Sequence, residues 1–218
     1  MKTKKTNLIF AIAMMVIFVI FTIIIKTVDV AAIGPEGTAV GLSSINGPFH
    51  DIFDFNETYY KISEVLGIFS LMVCAAFGCV GLLQLIKRKS LAKVDKDIWV
   101  LAGFYVIVMA CYVLFEKVVI NYRPVILDEG LEASYPSSHT ILSLCVLSSA
   151  VYMFERYLKE KKLLKNILSG LFIVLAVLTV ISRSFSGVHW LTDIIGGVLL
   201  SLALLNFFVA FLSARDKQ

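Results

Sequence analysis

The sequence predicts an all-α bundle of six membrane-spanning helices in a single domain, residues 1–218, with both termini in the cytoplasm. Three observations carry that prediction. Of 218 residues, 59% are hydrophobic and only 17% charged. A soluble domain has about 45–50% and about 25%, so the apolar surface exceeds what one water-soluble core can hold. The apolar residues fall into six runs near the length of about 20 that crosses a bilayer as a helix: 8–25, 65–86, 98–120, 138–154, 167–185 and 190–212. Six crossings divide Lys and Arg 15 to 5 between the two sides, which sets both ends inside by the positive-inside rule. The acids divide the other way, 5 inside and 11 outside. Basic residues in short clusters between apolar runs also exclude a nucleic-acid binder, whose charge would gather on one solvated face.

The first run follows Lys2, Lys4 and Lys5 and is long for the core of a cleaved signal peptide, so it is expected to stay as a span. Residues 26–64 form the longest connection, external in this topology. Its first part is rich in turn residues, with Gly34-Pro35 and Asn46-Gly47-Pro48. Its second part, 49–60, mixes aromatics with acids, as an interfacial helix would. It reads either as a spacer with an aromatic belt or as a lid, and Asn56-Glu57-Thr58 fits a short glycosylation pattern. The second and third runs are clean. The fourth and fifth are shorter or carry polar residues at one end, and a short break at 186–189 precedes the sixth. Cys74, Cys79, Cys111 and Cys145 all fall within runs and read as small packing residues. No internal repeat suggests an inverted-repeat transporter.

Ionisable groups in or beside spans are costly and point to function. Here they gather at the outer ends of spans three to six. His189 and Asp193 are four apart and share a helix face. A carboxylate so placed can hold one imidazole nitrogen protonated and leave the other as nucleophile or base; a purely structural pair is the plainer alternative. Pro136-Ser137-Ser138 sets His139 at a helix start, where free N–H groups and the helix dipole favour an anion. A helix cap beside an interfacial histidine would look the same. Arg123 and Arg183 either snorkel to the interface or clamp a phosphoryl group. Together these groups are equipped for metal-free phosphoryl transfer through a phosphohistidine, with no carboxylate cluster to hold a metal.

At these residues the sequence resembles the type-2 phosphatidic acid phosphatase (PAP2) superfamily, which also includes vanadium haloperoxidases. The family's ordered motifs are Lys-x6-Arg-Pro, Pro-Ser-Gly-His and Ser-Arg-x5-His-x3-Asp. The third is matched by Ser182-Arg183, His189 and Asp193, and the second by Pro136-Ser137-Ser138-His139 with Ser for Gly. In the first, Arg123-Pro124 is present, but the Lys position holds Glu116, and Lys117 comes one residue late. A one-residue slip turns a helical side chain by about 100°, which puts phosphate affinity and substrate choice at issue more than the chemistry.

The resemblance implies that His189 attacks phosphorus, Asp193 orients it and His139 protonates the leaving oxygen. Arg123 and Arg183 would bind the phosphoryl oxygens, assisted by Ser137, the amide of Ser138 and, if the helix end is irregular, Lys117. It implies no metal and no cofactor. The expected protein is a multi-pass lipid phosphatase of a bacterial cell membrane, with its site on the extracytoplasmic side. Its partners would be membrane lipids and a lipid phosphate or diphosphate substrate. Undecaprenyl diphosphate, phosphatidylglycerol phosphate and phosphatidic acid all fit. The alternative is a lipid-head-group binder or transporter that has lost turnover, which Glu116 alone motivates; a haloperoxidase is disfavoured by the spans.

Overall fold

The computed structural model describes residues 2–127 and 130–213, with side chains from Lys5 onward. The basic residues Arg215 and Lys217, counted on the cytoplasmic side, lie outside the described residues, as do the side chains of Lys2 and Lys4. The described chain forms six long helices and one short one: α1 (Lys2–Thr27), α2 (Ser43–Ile52), α3 (Glu57–Arg88), α4 (Lys96–Lys117), α5 (Ser138–Tyr157), α6 (Lys162–Phe185) and α7 (Leu191–Ser213). Each long helix falls on one predicted run, and no strand longer than an isolated bridge occurs among the described residues.

Five of the long helices are long and apolar enough to cross a membrane; α5 is not among them. The reason is its inward face, which buries Thr140, Ser143 and Ser149 beside apolar residues. The third run was expected to stay helical to residue 120, but α4 stops at Lys117. The aromatic and acidic stretch 49–60 is not one helix either. It is divided between α2 and α3, because Asn56 accepts hydrogen bonds from the Thr58 and Tyr59 N–H groups and caps α3.

α7 runs through the bundle, with α1 along one side and α5 along another; α3 and α6 pack against α5. In a bilayer, close packing of small residues substitutes for the hydrophobic drive available in water. Gly196 lies where a Cβ would strike the Tyr135 ring, and one on Gly197 would come within 3.0 Å of Thr140. Hydroxyls link helices as well: Ser70 Oγ donates to Ser143 Oγ at 3.1 Å, and Thr22 Oγ1 lies 2.8 Å from the Tyr135 hydroxyl. Outward faces of α1, α3, α4 and α6 expose Ile9, Val16, Leu83, Val106 and Val174, an apolar surface of the kind that meets lipid.

The two ends of the bundle differ. At one, Arg156 Nε donates to Asp97 at 2.6 Å, Arg88 Nη1 to Asp95 at 2.6 Å, and the Tyr157 hydroxyl to Asp95 at 3.0 Å. These contacts tie the start of α4 to the ends of α3 and α5. At the other end the start of α3, the end of α4, the start of α5, the end of α6 and the start of α7 converge. That end carries all the candidate site residues.

Candidate active site

Each candidate group is set near the end of an element. Leu191 opens α7, and His189 stands two residues before it, buried, in the turn that follows α6. Asp193 lies in the first turn of α7. Its Oδ2 accepts the Trp190 N–H at 3.0 Å and faces His189 Nδ1 at 3.4 Å, while Oδ1 accepts from Asn121 Nδ2 at 3.3 Å. The carboxylate thus caps its own helix and orients the imidazole with the same oxygen. Burial, with the positive charges of Arg183 and Arg123 and then His139, holds the His189 imidazole well below the usual histidine range. It is therefore neutral at neutral pH, and Nε2 keeps a lone pair.

Arg123 is held by a loop that folds back on itself. Its N–H donates to the Glu132 carbonyl at 3.0 Å, and its Nη2 pairs with the Glu132 carboxylate at 2.7 Å. Arg183 lies fully buried in the last turn of α6, with Nη1 donating to Ser63 Oγ at 2.8 Å and to Glu64 Oε1 at 2.9 Å. His139 sits in the first turn of α5, with Nε2 3.2 Å from the same Glu64 oxygen. Ser137 is the residue before α5; its N–H donates to the Asp193 carbonyl at 3.0 Å and its hydroxyl accepts from Thr140 at 3.1 Å. Its amide therefore locks α5 to α7.

A cavity of about 540 Å³ opens at this end between α3, α4 and α5. Polar residues line its mouth, among them Glu64, Glu116, Arg123, Glu132, Ser138 and His139, and it continues past Ile68, Leu71, Val108 and Leu142. A polar head with an apolar tail fits that graded lining. Arg183 and His189 are buried outside the lining; Arg183 meets it through Glu64. Among the described residues Arg123 Nε, Arg183 Nε and Nη2, His139 Nδ1 and His189 Nε2 are buried without a hydrogen-bond partner. Leaving a buried donor unpaired costs about 1–3 kcal/mol, more for a charged group. Four cationic or imidazole side chains with free nitrogens, concentrated at one end, form a site prepared for an anion.

Of the residues read from sequence, His189, Asp193, His139, Arg123, Arg183, Ser137 and Ser138 meet at this end. Lys117 does not: it closes α4 exposed and outside the cavity lining, whereas Glu116 lines the cavity. α4 stays regular to its last residue, so the one-residue slip turns Lys117 away. Glu64, Ser63, Glu132 and Asn121 were missed. A signal existed for Glu64, a lone acid at the edge of an apolar run; Glu132 and Asn121 lie in a loop whose folding no local pattern announces.

Comparison with known proteins gives three findings. Residues 117–217 match the model of the PAP2 superfamily. Phosphatidylglycerophosphatase B of Bacillus subtilis (strain 168) is 37% identical over 98 residues, which is 43% of this chain and 44% of that protein; the match thus spans less than half of the relative's length. The crystal structure of the first transmembrane PAP2 type phosphatidylglycerolphosphate phosphatase, from Bacillus subtilis, superposes with a TM-score of 0.69. It covers 94% of this chain and 97% of that one. At 18% identity that likeness is one of fold.

Proposed function

We infer, from the match of residues 117–217 to the PAP2 superfamily, that this is a multi-pass membrane phosphatase that hydrolyses a lipid phosphate or diphosphate through a phosphohistidine. The observation that carries this reading is the set of free nitrogens on Arg123, Arg183, His139 and His189 beside a cavity that turns from polar to apolar. The name of the Bacillus relative favours a phosphatidylglycerol phosphate among the candidate lipids. Six crossings, cytoplasmic termini and a site facing out belong to the same proposal, supported by the 15 to 5 division of basic residues. So does a single domain spanning the chain.

The steps follow from the groups in place. His189 Nε2 attacks phosphorus with its lone pair while the bond to the lipid oxygen breaks, and His139 gives that oxygen a proton. Asp193 holds Nδ1 and balances the positive charge that the attacking ring acquires. Arg123 and Arg183 present their free N–H groups to the phosphoryl oxygens, where charge accumulates in the transition state. Water, losing a proton to His139, then attacks the phosphohistidine, breaks the P–N bond and frees inorganic phosphate. No step calls for a metal.

The test is a panel of lipid phosphates assayed with purified protein in detergent, with chelator present. Phosphate release from at least one lipid, abolished in His189→Ala, is expected; release from none, or full activity in His189→Ala, refutes the reading. A binder without turnover has one observation in its favour, Glu116 on the cavity wall. Trapping a phosphorylated His189 excludes it.

A further inference from the structure

α3 lies wholly before the stretch that matches the superfamily model, yet three of its residues are fitted to the two basic groups facing it. Glu64 Oε1 accepts from Arg183 Nη1 at 2.9 Å and meets His139 Nε2 at 3.2 Å. Ser63, buried, takes a second hydrogen bond from the same Arg183 nitrogen at 2.8 Å. Gly67, one turn further on, leaves room for the imidazole: a Cβ there would lie 2.6 Å from His139 Cδ2 and 3.0 Å from Nε2. The carboxylate thus takes one ring nitrogen of His139, and the other, Nδ1, is left buried and without a partner.

We propose that Glu64 is the positioning residue of the general acid, forming with His139 a second histidine–carboxylate pair opposite His189–Asp193. The inference rests on the phosphatase reading. A general acid must carry an extra proton when the substrate arrives, which makes His139 a cation close to Arg183 and Arg123. A third positive charge among two guanidiniums is disfavoured unless a counter-charge is shared with it. Glu64 supplies that charge to Arg183 and His139 together. It also fixes the ring so that Nδ1–H, and not Nε2–H, is available to the leaving oxygen. On transfer the Nδ1–H bond breaks and the O–H bond forms on the departing alcohol. The Nε2–H stays with Glu64, and the neutral ring is ready to take a proton from water. The two pairs divide the work: Asp193 serves the ring that attacks, Glu64 the ring that donates.

A leaving group that needs no proton separates this role from a structural one. Wild type, Glu64→Gln and Glu64→Asp are purified in detergent and assayed on phosphatidic acid, whose alcohol must be protonated, and on p-nitrophenyl phosphate, whose phenolate leaves unaided. General acid catalysis contributes about 10²–10⁴-fold. Glu64→Gln is therefore expected to lose about 100-fold or more in kcat/KM on phosphatidic acid and only a few-fold on the aryl ester. His139→Ala should show the same contrast in kcat/KM, which covers the steps up to loss of the leaving group and not the later attack of water, and Glu64→Asp should recover part of the lipid activity. Equal losses on both substrates, or no loss on the lipid, overturn the proposal. Should Glu64→Gln fail to fold, the ratio of the two losses in Glu64→Asp decides in the same way. A wild type inactive on both substrates and on the wider lipid panel refutes the phosphatase reading itself.

Discussion

Gly67→Ala tests the fit between α3 and His139 with a single methyl group. The new Cβ would stand 2.6 Å from His139 Cδ2, where an ordinary contact is 3.4–4 Å. The ring must therefore retreat by about 1 Å, enough to stretch its 3.2 Å contact with Glu64 and to shift Nδ1 by a similar distance. A misplacement of about 1 Å in a reacting group costs on the order of 10² in rate. Stability should hardly change. Overpacking a buried site costs about 1–3 kcal/mol, while alanine gains about 1 kcal/mol over glycine within a helix. The assay is kcat on a lipid phosphate in detergent, alongside the thermal midpoint of the same preparation. The expected result is a loss of about 100-fold in kcat with a midpoint shifted by a few degrees at most. Wild-type kcat with an unchanged midpoint would refute the reasoning, since the ring would then have either no need of its position or room that the packing does not offer.

Other outcomes follow from the same geometry. In the double variant His50→Gln/His139→Gln one histidine remains, and its imidazole can be titrated by NMR. Burial and the two arginines lower its pKa, so the neutral form is expected to persist well below pH 6.5; titration at or above that value would contradict the buried, cation-flanked placement of His189. Arg183→Lys keeps the charge but, once Ser63 and Glu64 are held, leaves a single N–H in place of the free Nε and Nη2 donors of the planar fork, so kcat/KM should fall about 10²-fold; a fall of less than about threefold would show that the fork is not used. Asn46→Ala leaves the Gly41 carbonyl and the Thr192 N–H without the partner that now serves both. Each orphaned buried group costs about 1–3 kcal/mol, so the thermal midpoint should drop by several degrees; an unchanged midpoint would mean that water replaces the side chain freely.

Much of this was legible because charge is scarce in the spans. His189 and Asp193, four apart at the start of an apolar run, could hardly serve elsewhere, and Arg183 six residues earlier had to end the preceding helix. The membrane-crossing helices were equally readable from run length. What the sequence hid is long-range. Glu64 lies 75 residues before His139 and is an ordinary-looking acid at a helix edge until α3 and α5 are brought side by side. α5 shows the converse: its polar inward face, which builds contacts such as Ser70–Ser143, lowers the very apolarity by which a span is recognised. Asn56 carried a local signal with two readings, and in the folded chain it serves as a helix cap.

Residues 26–64 were open to reading as a spacer or a lid, and the contacts favour neither image. Asn46 is buried against the first turn of α7, accepting the Thr192 N–H at 3.2 Å and donating to Thr192 Oγ1 at 3.0 Å. The Asn56 N–H donates to the Ser186 carbonyl at 3.0 Å, just where the chain turns from α6 into the loop that carries His189. Gly187 adopts φ +71°, and a side chain there would collide with the backbone of Asp54 and Phe55; only glycine meets both demands without strain. A segment that caps α7 with one side chain and clasps the preceding turn with its backbone behaves as a brace on the turn that carries His189. The two halves of the chain therefore contribute different things to one site. The half that matches the superfamily brings His139, His189 and the two guanidiniums. The half before it brings the counter-charge on Glu64, the clearance at Gly67 and the brace through Asn46, without which those groups would have the right identities and the wrong positions.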